Sequence, residues 1–324
     1  MTERELLYVK TIADEKSISK AAHKLFLTQP SLSKCLQGIE SSLGTKLFKR
    51  TSTGLILTFA GEKYYQVATK ILKIYSDFEI EVGDINNMKK GRITIGLTNF
   101  LAADILPVIL PLFKRRCPNI EVFIVEQNST ELEHTLSMGN LDFALMHTSP
   151  FYEIDTGMEV DFHPLFKDPF LLATKKGHPL GRFATIAEGY RHPLIDISLF
   201  ADEPFIMVTR EQRIRQVGDM ILQQAGIVPA IALITKSYET ARRLSCVGIG
   251  VTFVPQQYSQ IFTGTYQPDY YSIDEKYSPY GTMCIAIQKS AYISKAAQLF
   301  IRMVCEKFGS DIFDMEENWR GRHD

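Results

Sequence analysis

The sequence predicts an α/β protein in several parts. A small helical head carries a helix-turn-helix and a two-stranded wing, one long helix follows, and a larger body alternates strands with helices. Three observations predict this. Residues 17–40 place apolar side chains at helical spacing on both sides of a short break. Tyr64, Ala68, Ile71, Tyr75, Phe78, Val82 and Ile85 recur in steps of 4 and 3, a heptad seam. From residue 93 onward, short β-rich runs alternate with amphipathic stretches, the pattern of β-α-β units. A chain of 324 residues suits roughly two to three domains.

In the head, Ala21 and Ala22 are small enough to let one helix sit close against the next. Leu25, Leu32, Leu36 and Ile39 supply the buried faces. Thr28 is placed to cap the second helix, and Pro30 falls in its first turn, where a missing N–H costs nothing. Ser33, Lys34 and Gln37 are left on one outward stripe, with Gln29, Pro30 and Ser31 at the leading end. Short polar side chains around one cation suit a helix whose N-terminal part enters a DNA major groove. An αα-hairpin with a solvated face has the same pattern. Residues 43–50 end the helical region, Thr51-Ser-Thr-Gly54 makes a turn, and residues 55–58 alternate, which reads as a wing.

The long helix runs from Phe59 to about Met88 and is capped by Thr58. At 1.5 Å per residue it would be roughly 45 Å long, too long to bury against one small domain. Its heptad stripe predicts a dimer seam, with packing on its own chain as the alternative. After Lys89-Lys90-Gly91-Arg92, strands are expected at 93–97, 121–126, 141–146, 169–174, 205–208, 231–234, 251–254 and 282–287. Helices are expected at 102–116, 131–138, 211–225, 238–246 and 291–308. This order predicts mostly parallel sheets, with ligands bound outside the carboxyl ends of the strands.

Three polar segments fall at such ends: Thr98-Asn99-Phe100, Ser129-Thr130 and Thr209-Arg210. Hydroxyls and free N–H groups at helix starts suit a carboxylate or another small anion, while simple capping is the alternative at each. His147 follows a strand and belongs to the same cleft or is a satisfied surface histidine. Arg242 and Arg243 read as a solvated helix face or an interface.

Net charge is −1, but unevenly placed. Residues 1–90 hold 14 Lys/Arg against 10 Asp/Glu, and the remainder holds 22 against 27. A basic front end fits a protein that presents only its N-terminus to phosphate. Cys35, Cys117, Cys246, Cys284 and Cys305 form no C-x-x-C pair, so idle thiols are expected. The seven histidines form no metal-ligand pattern, and neither a metal nor a cofactor is expected. There is no G-x-S-x-G, H-E-x-x-H or P-loop, and no paired carboxylates at strand ends, which argues against an enzyme. The polar, charged start and the lack of a bilayer-long apolar run predict a cytoplasmic protein with no signal peptide and no membrane partner.

Ser17-Ile-Ser-Lys-Ala-Ala22, Thr28-Gln-Pro-Ser-Leu-Ser33, Ile39-Glu40, Leu43-Gly44, Leu47-Phe48, Arg50 and Leu57-Thr58-Phe-Ala-Gly61 stand together at fixed spacing. This run closely resembles the N-terminal domain of LysR-type transcriptional regulators. Gly177-His-Pro-Leu180 and residues 247–255 are similar to motifs of that family's effector domain. The resemblance implies an α/β chain with a winged helix-turn-helix (1–58), a dimerising linker helix (59–90) and a two-lobed, periplasmic-binding-protein-like effector domain (91–324). Lobe one is expected at 91–165 and 270–308, lobe two at 166–269, and a tail at 309–324.

It further implies sequence-specific binding to double-stranded DNA at an interrupted inverted repeat. Ser17, Ser19, Gln29, Pro30, Ser31, Ser33, Lys34, Gln37, Arg50, Ser52 and Thr53 would make the contacts. Thr98, Asn99, Phe100, Ser129, His147 and Thr209 would meet a small anionic effector. A homodimer or homotetramer is implied, with RNA polymerase as a further partner. Two positions depart from the family pattern. Lys34 stands where Arg is usual and lacks its bidentate fork to guanine, and Cys35 replaces a polar residue. The competing class is a two-lobed solute-binding protein or enzyme with an unrelated helical N-terminus.

Overall fold

Residues 1–51, 54–85, 91–148, 159–261, 267–289 and 291–309 are described by a computed structural model of the chain. Its contacts form two units, one made chiefly of residues 1–91 and the other chiefly of residue 92 onward. The first begins with a helix the sequence reading did not include, α1 (Glu3–Glu15). Thr2 and Glu5 close a capping box at its start, and Leu6, Val9 and Ile12 bury one stripe. The expected pair follows as α2 (Ile18–Lys24) and α3 (Gln29–Leu43), then β1 (Phe48–Thr51) and β2 (Gly54–Leu57) form the antiparallel wing. Ala21, Ala22, Leu32, Leu36 and Ile39 meet the α1 stripe in one core.

The long helix α4 (Phe59–Ile85) is present, but its seam differs from the expected one. Tyr64 and Ala68 are buried in the core of their own unit, where α4 packs on α1. Tyr75, Phe78 and Val82 are exposed, as are Val67 and Ile74, which the heptad reading left out. Packing on its own chain thus takes Tyr64 and Ala68, holds Ile71 partly buried, and leaves Tyr75, Phe78 and Val82 open. The side chain of Ile85 and residues 86–90 lie outside the described residues.

The second unit contains β3 (Gly91–Leu97), α5 (Asn99–Arg116), β4 (Ile120–Glu126), α6 (Ser129–Ser137) and β5 (Phe143–Thr148). The chain continues through β6 (Val160–Thr174), β7 (Leu194–Ile195), β8 (Pro204–Val208), α7 (Arg213–Gln224), β9 (Ala230–Thr235) and α8 (Tyr238–Cys246). It closes with β10 (Thr252–Pro255), α9 (Tyr258–Ile261), β11 (Asp269–Ile273), β12 (Tyr280–Gln288) and α10 (Lys295–Phe308). Strands lie in the order β4-β3-β5-β12-β6-β11-β7, with β10 also on β6, while β8 and β9 pair separately.

The sheets are mixed rather than mostly parallel. β3 with β5, β8 with β9 and β7 with β11 run parallel, whereas β12 opposes β5 and β6, and β10 and β11 oppose β6. The cause is β6, which serves both lobes. Its residues 160–169 pair with β12, and residues 170–173 pair with β10 and β11. Pro164 would spoil a regular ladder, but it sits where the register with Met283 and Cys284 shifts, so its missing N–H falls at an irregularity. Tyr270–Ser272 pair with Leu171–Ala173, and Tyr277 packs in one core with Ile195, Phe200 and Phe205 before β12 begins.

Candidate nucleic-acid interface and effector cleft

α3 turns its apolar residues inward and leaves Gln29, Pro30, Ser31, Lys34 and Gln37 exposed, with Ser33 half-buried. At 100° per residue, Pro30, Ser33, Lys34 and Gln37 fall within one arc of about a quarter turn. Thr28 caps the helix as expected, its hydroxyl accepting from the Ser31 N–H. Ser17 caps α2 and is half-buried, which ties its hydroxyl to the Lys20 N–H, while Ser19 is exposed. Arg50 is exposed on β1; Ser52 and Thr53 lie outside the described residues.

The sequence signature has a physical explanation in how the wing is fastened. The buried Glu40 carboxylate accepts from the Leu47 N–H at 2.9 Å and the Lys46 ammonium at 2.7 Å, so one side chain on α3 anchors the start of β1. Thr58 donates its N–H to the Leu47 carbonyl at 2.9 Å and its hydroxyl to the Lys46 carbonyl at 2.6 Å. It also accepts from the Gly61 N–H at 3.0 Å, capping α4. Gly61 has no room for a side chain, because a Cβ there would fall on the Leu47 carbonyl oxygen. These bonds fasten α3 to the wing and the wing to α4.

In the second unit the three polar segments gather at the junction of the two lobes. Gln127 donates its N–H to the Leu97 carbonyl, joining the chain just before Ser129 to the chain just before Thr98. Thr130 donates its hydroxyl to the Glu211 carbonyl at 3.3 Å, bringing α6 of lobe one to the loop that holds Thr209. Phe100 is buried and stacks on Tyr258 of lobe two, with ring centroids 3.7 Å apart and planes 17° apart.

Simple capping does not account for these hydroxyls. Thr98 is the N-cap of α5 but makes no side-chain cap bond. Ser129 is buried while Asn128 and Glu131 form the capping box of α6. Thr209 lies ahead of Gln212, the N-cap of α7. Asn99 is exposed at the start of α5.

His147 is neither a surface residue nor open to the cleft. It is buried within β5, its Nε2 3.1 Å from Oδ2 of the buried Asp168, where β6 passes between lobes. Arg242 is not solvated either: its guanidinium is buried and makes two bonds to Glu239, at 2.8 and 2.9 Å, while Arg243 is exposed. Sequence reasoning also missed a buried ion pair across the junction, Glu133 of α6 with Arg213 of α7. Burial pushes the Cys284 and Cys305 thiols up to about 11, which leaves them unreactive. Among the described residues, no group of three or more His, Cys, Asp or Glu could hold a metal, and no helix is long and apolar enough to cross a membrane.

Two family models match the chain. One, described as the bacterial regulatory helix-turn-helix protein of the lysR family, covers residues 4–62, and the LysR substrate binding domain covers residues 86–309. The uncharacterized HTH-type transcriptional regulator YcgK of Bacillus subtilis is 26% identical over 305 residues, 91% of each chain. Full-length OxyR from Pseudomonas aeruginosa has a similar fold, with a TM-score of 0.71 at 23% identity over 95% of this chain and 94% of that one. Full-length CbnR in complex with its target DNA gives a TM-score of 0.61 at 18% identity over 94% and 99%.

Proposed function

The chain belongs to the LysR family of transcriptional regulators, and from that premise we propose how this member reads DNA and senses its effector. A regulator with a helix-turn-helix domain and an effector-binding domain is not an enzyme, and the solute-carrier alternative falls with it. The proposal covers residues 1–58 as the DNA-binding domain, 59–90 as the linker and the rest as the effector domain, acting in the cytoplasm. One observation carries the DNA reading. α3 offers an exposed polar arc around Lys34 at the open side of a winged helix-turn-helix.

In this reading a dimer sets two α3 helices into successive major grooves of an interrupted inverted repeat. Gln29, Pro30, Ser31, Ser33, Lys34 and Gln37 meet base edges and nearby phosphates, with Ser17 and Ser19 at the backbone. Arg50, Ser52 and Thr53 act through phosphate or minor groove. Lys34→Ala and Gln37→Ala should each weaken specific binding by about 1–3 kcal/mol and relax discrimination at one base pair. Arg50→Ala should weaken all sequences alike and flatten the salt dependence. Footprinting and titration on a genomic site test this. An unchanged footprint and affinity for Lys34→Ala would show that α3 does not read the groove.

The effector reading places a small anion between the lobes, against Thr98, Asn99, Phe100, Ser129 and Thr209. It is supported by the Thr98 hydroxyl, which caps nothing, and by the Thr130 bond to the Glu211 carbonyl, which joins the two lobes there. His147 acts from behind, through Asp168. Thr98→Ala and Ser129→Ala should abolish the metabolite response and leave basal DNA affinity nearly intact. Thermal-shift screening of metabolites on the full chain identifies the ligand through its stabilisation of the folded state, and calorimetry on the two variants then decides. Wild-type affinity in both variants would move the pocket elsewhere.

Assembly is proposed to use two surfaces. The open part of α4 is one. The other joins effector domains through exposed apolar faces: Val108, Leu112 and Phe123 on lobe one, and Val228, Ile231 and Ile234 on lobe two. Beside the first lies an open groove of about 500 Å³ along α5, lined by Leu106, Pro107, Leu110 and Pro111. The result is a tetramer able to contact RNA polymerase as well as DNA.

A further inference from the structure

We propose that Arg213 is the residue that recognises a carboxylate on the effector, and that Glu133 holds its place while the site is empty. The inference rests on the between-lobe reading above and names the ligand chemistry. Glu133 and Arg213 belong to opposite lobes and leave only 2% and 5% of their side chains exposed. Each is attached to a segment already drawn to the junction. Glu133 lies one helical turn beyond Ser129, at i+4 and so on the same face of α6. Arg213 is the first residue of α7, directly after the loop that runs from Thr209 to Gln212. Beside them Thr130 reaches the Glu211 carbonyl, and the Phe162 ring lies 5.9 Å from the guanidinium carbon.

A buried ion pair is a poor choice if holding the lobes together is its only purpose. Both charges lose their hydration, and an apolar pair of similar volume usually serves as well or better. What an arginine offers is a planar fork that takes a carboxylate in a defined geometry. Glu133 occupies that fork from within the chain. An effector carboxylate has the same charge and shape, so it can take over the guanidinium without leaving it unpaired. The displaced Glu133 carboxylate carries the cost of a buried charge unless it turns toward water, which moves α6 against α7. Ligand exchange at Arg213 is therefore coupled to the angle between lobes, and a ligand without a carboxylate cannot drive it.

The test uses the full chain and needs no knowledge of the natural effector. Glu133→Ala removes the carboxylate that pairs with the guanidinium across the lobes and opens space the size of a small acid. Acetate or propionate should then raise the Tm of Glu133→Ala saturably, by about 2–4 °C. Wild type in the same salts should match sodium chloride at equal ionic strength. Acetamide and propionamide should do nothing to either chain, and Glu133→Ala/Arg213→Met should lose the response.

An acetate response equal to that of wild type, or one that survives in the double variant, overturns the proposal. If Glu133→Ala does not fold unaided, recovery of folded chain on refolding in acetate supports it. No recovery in acetate, with Glu133→Leu/Arg213→Met folded normally, overturns it. The two readings fail separately. A metabolite that needs Ser129 and Thr209 can bind even if acetate never restores Glu133→Ala, and loss of Ser129 dependence leaves the acetate result untouched.

Discussion

Gly61→Ala should destabilise the winged domain by about 3 kcal/mol or more, whereas Gly38→Ala should stabilise it by about 0.5–1 kcal/mol. Both glycines sit inside helices, so intrinsic propensity favours alanine at each. The difference lies in what the methyl group meets. At Gly38 on α3 nothing lies within 4 Å of the new carbon. At Gly61 it would fall on the Leu47 carbonyl oxygen, which is already held by the Thr58 N–H at 2.9 Å. Relief requires α4 to move off β1, and that loosens the Thr58 bonds and the Tyr64 and Ala68 packing together. Urea unfolding of the full chains, followed by far-UV circular dichroism, measures both changes. A Gly61→Ala chain within about 0.5 kcal/mol of wild type would show that the close approach is not what fixes this residue.

The winged domain was legible because its determinants are local. The alanines, the Thr28 cap, Pro30 and the wing turn each act within a few residues, and the structure uses them as the spacing implies. α1 went unread although Thr2 and Glu5 form a capping box, since no glycine or proline separates it clearly from α2. In the effector domain, α8 has the bounds the sequence gives it, from Tyr238 to Cys246. β6 does not, because Pro164 argues against a strand before residue 169 unless an irregular register is known.

For the candidate site, strand ends single out three segments that hydrogen bonds bring near one another, but they could not show which side chains lie buried between them. Glu133 and Arg213 are separated by eighty residues and look like ordinary surface charges in the sequence. Arg242 misled in the same way: a charged pair on a helix reads as solvated until its neighbours bury it. Long-range burial is what a periodicity reading lacks.

The double variant Ile74→Asp/Phe78→Asp should halve the mass of the assembly without unfolding it. Val67, Ile71, Ile74 and Phe78 follow one another in steps of 4, 3 and 4, and at 100° per residue they share an arc of about 60°. This stripe keeps Ile71 and Phe78 but is turned by about 40° from the heptad read in the sequence, because Tyr64 and Ala68 are engaged within their own unit. Val67, Ile74 and Phe78 are 47%, 68% and 64% exposed in the single chain, an apolar row that water does not favour.

Burying one such side chain contributes about 1.5–3 kcal/mol, and a symmetric seam counts each position twice. A carboxylate in that seam faces its own copy and loses hydration, so each substitution should weaken pairing by about 100-fold or more. The effector-domain faces are untouched, so the expected product is a dimer rather than a monomer. Specific DNA affinity should fall by about 10²–10⁴, the advantage of binding two half-sites together. Gln66→Asp, exposed on another side of α4, is the control and should change neither mass nor affinity. Sedimentation velocity with circular dichroism on the same samples gives the answer. A double variant that keeps the wild-type mass at low micromolar concentration would place the pairing surface away from α4.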